Sequence, residues 1–171
     1  MNKLLIHSFY LCYTCGMRTS TEISRERATT PAGGAAALEK RAQIEKKLIG
    51  IIHDTYAEVA RQYGEHFMGG PGEIYWQNAC QQFSEILRKK LKDDAGIASE
   101  FEHRDVKKLN PNAKHHMYVS ASGYLIDGTW QQFLEMPRKD NHFLMLNKDT
   151  IVSDLRKAKV PEELWFIYGV T

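Results

Sequence analysis

Cys80, His116 and Asp127 are the residues of this chain whose types and spacing allow chemistry. Asn78 is a good N-cap residue and Gln81 lies three positions later, a capping box in its Gln form. A helix is therefore expected to begin there, with Cys80 in its first turn. Unpaired backbone N–H groups and the positive end of the helix dipole converge at that point, which favours the thiolate, the nucleophilic form of cysteine. Residues 115–120 and 123–127 read as strands flanking a tight Ala121-Ser122 turn. In that register His116 falls directly opposite Asp127 on one face of the sheet, at the ~5 Å Cβ spacing of cross-strand pairs. His115 faces Gly128, which has no carboxylate, so His116 is the candidate.

A carboxylate beside a histidine orients the imidazole and stabilises its cation. A histidine beside a helix-start cysteine takes the thiol proton. Cys, His and Asp in this arrangement read as a thiol triad, which needs no cofactor and no metal. Two other readings of the same residues stay open. Free cysteine is among the most buried residue types, so Cys80 can be an inert core thiol in a non-catalytic protein-interaction module, with His116 and Asp127 in a structural hydrogen bond. Cys80, His115, His116 and Asp127 can also be read as zinc ligands of a metal-dependent hydrolase. Adjacent histidines on a strand point to opposite faces, which weighs against the metal. His7, His53, His66, His103 and His142 show no paired spacing and are expected at the surface or in the core.

The elements that must position these groups follow from periodicity. Ile44, Leu48, Ile51, Ile52, Tyr56, Val59 and Tyr63 recur at spacings of three and four, the stripe of an amphipathic helix running from about Leu38 to Tyr63 with Gly64 as C-cap. Gly69-Gly70-Pro71-Gly72 is a turn; it lacks the Lys-Ser/Thr of a phosphate-binding loop. Phe83, Ile86, Leu87 and Leu91 form the buried stripe of the Cys80 helix, which Gly96 ends. Residues 97–103 and 142–146 are expected strands, 148–157 a short helix stopped by Pro161, and 164–170 a final buried strand. Helices followed by strands point to an α+β fold.

Residues 1–37 are expected to be a flexible tail, since residues 17–37 hold almost no large apolar side chains. Residues 38–171 are expected to form one catalytic domain. The start, Lys3 then Leu4 to Tyr13, faintly resembles an export signal. Lys and Arg total 23 against 21 Asp and Glu, a net charge of +2, which gives no footprint for nucleic acid or an anionic membrane. No apolar run reaches the ~18 residues of a membrane span, so a soluble protein, cytoplasmic or secreted into a host cell, is expected. Cys12, Cys15 and Cys80 are too few for a disulfide framework, and Cys12-x-x-Cys15 lacks the second ligand pair of a zinc ribbon.

The segments Trp76-Gln77-Asn78-Ala79-Cys80, His116-Met117-Tyr118-Val119 and Tyr124-Leu125-Ile126-Asp127-Gly128-Thr129-Trp130 resemble the transglutaminase-like branch of the papain-like cysteine enzymes. In that family a helix-start Cys precedes a His-small-aromatic-Val strand and a second strand ending in Asp. The resemblance covers roughly residues 74–133 and implies Cys80 as nucleophile, His116 as general base and acid, and Asp127 as the orienting group. It implies an antiparallel sheet packed on the Cys helix, and acyl transfer through a thioester: proteolysis, glutamine deamidation or transglutamination of a protein or peptide substrate. The small size and polar N-terminal tail resemble bacterial effectors that deamidate host proteins. Ala79 replaces the residue many members carry before the Cys. The backbone N–H of Cys80 supplies one oxyanion donor, and Gln77 or Trp76 is expected to supply the other, with Trp130 beside the substrate.

Overall fold

The computed structural model describes residues 32–64, 79–109, 115–136, 138 and 142–171. The chain divides into two units, Met1–Ala42 and Gln43–Thr171. Of the first, only the opening of a long helix, α1 (Ala32–Tyr63), is described. This helix begins six residues before the expected Leu38, because Ala35-Ala36-Ala37 are the strongest helix formers and carry it through part of the expected tail. Residues 1–31, with Cys12 and Cys15, and residues 65–78, with the glycine-rich turn, Trp76, Gln77 and Asn78, lie outside the described residues.

The second unit is α+β. After α1 come α2 (Cys80–Asp93), the strands β1 (Ser99–Arg104), β2 (His116–Ala121) and β3 (Tyr124–Asp127), a 3₁₀ turn at Trp130–Phe133, β4 (Leu144–Asn147), α3 (Ile151–Lys157) and a second 3₁₀ segment, Glu162–Tyr168. The strands form one antiparallel meander in the order β1-β2-β3-β4. Alternation along the strands sorts the side chains into two cores. Val119, Ala121, Tyr124 and Ile126 pack against Leu48, Ile52 and Val59 of α1 and Phe83, Leu87 and Leu91 of α2. Tyr118, Leu125, Leu144 and Leu146 pack on the other face against Leu155, Leu164, Ile167 and Tyr168.

Three expectations are corrected here. The β2–β3 turn is Ser122-Gly123, with Ala121 paired to Tyr124, because both turn residues adopt positive φ (51° and 83°) and glycine takes the second place at no steric cost. The register therefore slips by two residues, an even step that keeps every side chain on its expected face. The helix carrying Cys80 starts one residue late: Ala79 is its N-cap, without a side-chain cap bond, and Gln81 bonds Glu85 in place of closing a capping box. Residues 162–168 form a 3₁₀ segment where a strand was expected. Leu164, Ile167 and Tyr168 are its buried side chains, a spacing of three and four, and the Leu164 amide donates to the Pro161 carbonyl.

Two contacts fix α2 against the strands. The Phe83 ring lies on Gly128 so closely that a Cβ there would sit 2.2–2.6 Å from ring carbons. One residue further, the buried Ser84 hydroxyl donates to the Met117 carbonyl at 3.2 Å, beside His116. Tyr56 of α1 backs this junction, its ring 4.8 Å from that of Phe83 and its hydroxyl donating to the Gly128 carbonyl. Gly128→Ala is expected to lower stability by ~1–3 kcal/mol through overpacking, read as a fall in urea midpoint at constant slope. Gly50→Ala in α1, where a new Cβ meets nothing within 4 Å, is the control and is expected to gain ~1 kcal/mol.

Candidate functional site

His116 opens β2 and Asp127 closes β3. Carried one residue beyond Val119↔Ile126, the register sets Asp127 across from Tyr118, so His116 lies diagonally from it on the same face. The longer diagonal is within reach of these side chains. His116 Nε2 lies 2.6 Å from Asp127 Oδ2, with both side chains 1% exposed. The expected partnership is present, although the two residues do not face each other directly.

The Asp127 carboxylate is engaged on both oxygens. Oδ2 also accepts from the Tyr168 hydroxyl at 2.8 Å. Oδ1 accepts from the Thr129 amide at 2.9 Å and the Thr129 hydroxyl at 3.4 Å. A buried carboxylate needs this many donors to hold its charge. Tyr168 is buried, and desolvation together with the neighbouring Asp127 charge pushes its phenol well above the ordinary range, so it serves as a donor only. Tyr118, whose hydroxyl bonds the Ile167 carbonyl at 2.9 Å, is likewise pushed up to about 12, chiefly by burial.

Burial alone would depress the His116 imidazolium, and it is the largest single influence. The charge and hydrogen bond of Asp127, helped by the Cys80 thiol, outweigh it and raise His116 to about 9. Cys80 is half-buried, unoxidised and the first residue of α2. Among the described residues the first intrahelical bond runs from the Phe83 amide to the Ala79 carbonyl, so the amides of Cys80, Gln81 and Gln82 find no partner among the described residues of the helix. The Cys80 thiol is close enough to the His116 ring to add to its raised value. Cys80, His116 and Asp127 thus come from three separate elements to one place. No family model, no curated protein and no solved structure matches this chain.

Two expected substrate-binding residues, Gln77 and Trp76, fall outside the described residues. The third, Trp130, is 1% exposed and belongs to the core beside Leu144 and Leu164. Its observed place is in the packing of that core. His115 is exposed and its ring stands 5.7 Å from that of His103, on the opposite side of the strand from His116. Among the described residues no three His, Cys, Asp or Glu side chains are arranged to hold a metal ion.

Four further residues complete the site. Thr129 and Tyr168 bond Asp127. Gln132 places its amide nitrogen 3.0 Å from His116 Nδ1, and Phe133 packs its ring edgewise on the imidazole at 4.9 Å. Asp127-x-Thr129 is a readable signal, since an Asp side chain commonly accepts from the amide two residues on. Nothing local marks Tyr168. Behind the pair, a groove of about 310 Å³ is lined by Glu102, Arg104, Tyr118, Lys148 and Tyr168 among others, but not by Cys80.

The raised His116 sets a pH dependence of stability. A group raised on folding stabilises fully below its unfolded value, near ~6.5, and loses that contribution as pH climbs through the folded value. The stability advantage of the wild type over His116→Gln is therefore expected to be greatest near pH 6. It should shrink by on the order of 3 kcal/mol as pH passes about 9. Urea unfolding of both proteins across that range checks it, and an advantage that grows with pH would contradict the assignment.

Proposed function

We propose that this chain is a thiol-dependent hydrolase or acyltransferase acting on a carboxamide or peptide bond of a protein, on a papain-like or transglutaminase-like core. The observation that carries the reading is the junction of three elements: a half-buried Cys80 at a helix start, beside a buried imidazole that is itself held by a fully engaged Asp127. A purely structural His–Asp pair has no need of a thiol at its open side.

The residues divide the work as follows. Cys80 gives its proton to His116, and Sγ bonds to the substrate carbonyl carbon. The carbonyl oxygen gains negative charge beside the backbone amides of the first turn of α2, including that of Cys80. The C–N bond breaks, and the leaving nitrogen takes the proton from the imidazolium, departing as ammonia or as an amine. The thioester is then resolved by water or by a second amine, whose proton passes to His116 while the C–S bond breaks and the thiol is restored. Asp127 stabilises the imidazolium. With Thr129, Tyr168 and the β2–β3 ladder holding it, Asp127 needs no rearrangement during the cycle.

A protein substrate suits the small size of the domain, in which the described elements are all used in building the core. Deamidation, cleavage and cross-linking share every step up to the thioester and differ only in the acceptor. Iodoacetamide labelling of the native protein, read by peptide mass spectrometry near pH 6.5, is the test. Cys80 is expected to label rapidly, and His116→Ala to slow it by about tenfold or more. Incubation with protein substrates is expected to release ammonia, peptides or cross-linked product, and Cys80→Ala to abolish that release. A Cys80 that stays unlabelled until the protein is denatured would sink the enzyme reading and leave an interaction module.

A further inference from the structure

One nitrogen of the His116 ring is contested. Nε2 is turned to Asp127 Oδ2 at 2.6 Å. Nδ1 lies 3.0 Å from the Gln132 amide nitrogen, which also reaches Thr129 Oγ1 at 3.3 Å. Cys80, at the start of α2, lies near the same ring, and with Nε2 directed at Asp127, Nδ1 is the nitrogen left to face it. Each ring nitrogen has a single in-plane site, either a lone pair or an N–H. Gln132 and Cys80 therefore compete for one position. An amide N–H can donate to Nδ1 only while that nitrogen carries no proton.

We infer that Gln132 is a positioning residue that sets the proton balance of His116, holding Nδ1 as an acceptor until the Cys80 thiol takes its place. The inference rests on the thiol-enzyme reading for its purpose, but its geometry stands apart from it. Asp127 favours the imidazolium, and a ring already protonated cannot accept the thiol proton. A donor to the neutral ring opposes that bias, because a hydrogen bond to the uncharged form disfavours the charged one. When the proton passes from Sγ to Nδ1, Gln132 loses that acceptor and keeps Thr129 Oγ1. The new N–H is then shared with the thiolate alone.

The other groups around the ring do different things. From β3, Asp127 engages Nε2, and Tyr168 of the second 3₁₀ segment bonds the same carboxylate oxygen. From β1, Arg104 is the register partner of His116. Tyr118 and Phe133 present rings, at 6.0 and 4.9 Å between centroids. Among the described residues Gln132 is the side chain whose amide nitrogen meets Nδ1.

The test is a titration of the His116 ring nitrogens by NMR on the ¹⁵N-labelled full chain, between about pH 6 and pH 11. In Gln132→Met, which keeps the length and removes the donor, the midpoint is expected to move to higher pH by about one pH unit. Should that variant fail to fold, Gln132→Asn, too short to reach Nδ1, carries the same expectation. Loss of mere packing would lower the melting temperature and leave the midpoint in place. A midpoint that responds to Gln132 supports the assignment even where Cys80 resists alkylation, an outcome that would sink the thiol reading by itself. A midpoint that stays put or falls overturns the assignment, whether or not Cys80 is labelled.

Discussion

Asp127 carries its charge at 1% exposure, and several kcal/mol of lost hydration must be offset there by donors alone. Four arrive: the imidazole of His116, the phenol of Tyr168, and the amide and hydroxyl of Thr129. They come from β2, from the segment after β3 and from the second 3₁₀ segment, so satisfying one carboxylate draws much of the sheet and its C-terminal cover into a single arrangement. The same carboxylate favours the His116 cation, against the opposing effect of burial. A carboxylate with fewer donors, or nearer to water, would hold the imidazolium less firmly.

The nucleophile reaches this pair from the opposite layer. α2 packs on the face of the sheet that carries Val119 and Ile126, whereas His116 and Asp127 belong to the other face. The meeting occurs at the strand ends, where Gly128 leaves no side chain between Phe83 and the backbone. Any larger residue would move the helix start away from the strands. Ser84 performs the same service at Met117 with a hydrogen bond. The distance between thiol and imidazole is thus set by contacts three and four residues into the helix, one turn away from the chemistry.

Much of this was legible in the sequence because it depends on parity and periodicity. The face shared by His116 and Asp127 survives a two-residue error in the turn, since side chains repeat every second residue. The error itself arose because Ala121-Ser122 and Ser122-Gly123 both satisfy the composition of a tight turn, and only the backbone angles, positive at both residues of the true turn, separate them. The segment 162–168 misled for a related reason: its aromatic and apolar run suits a strand, and the deciding signal was the three-and-four spacing of Leu164, Ile167 and Tyr168. Trp130 reads as a site residue because it stands near Asp127 in sequence, whereas the structure packs it beside Leu144 and Leu164. Tyr168 could not be read at all, because a bond across 41 positions leaves no local trace.

That same bond has a consequence for the order of events during synthesis. Domains fold as units while the chain emerges from its N-terminus. α2, β2 and β3, which carry Cys80, His116 and Asp127, are all made before residue 168 exists. Until Tyr168 arrives, Oδ2 of a carboxylate destined for burial has His116 as its donor but not the phenol, and the face that covers it is missing Leu164 and Ile167. The nascent chain therefore holds its thiol beside an Asp still open to water. The full set of donors around Asp127 therefore forms only when the Glu162–Tyr168 segment docks, well after the three site residues have been made.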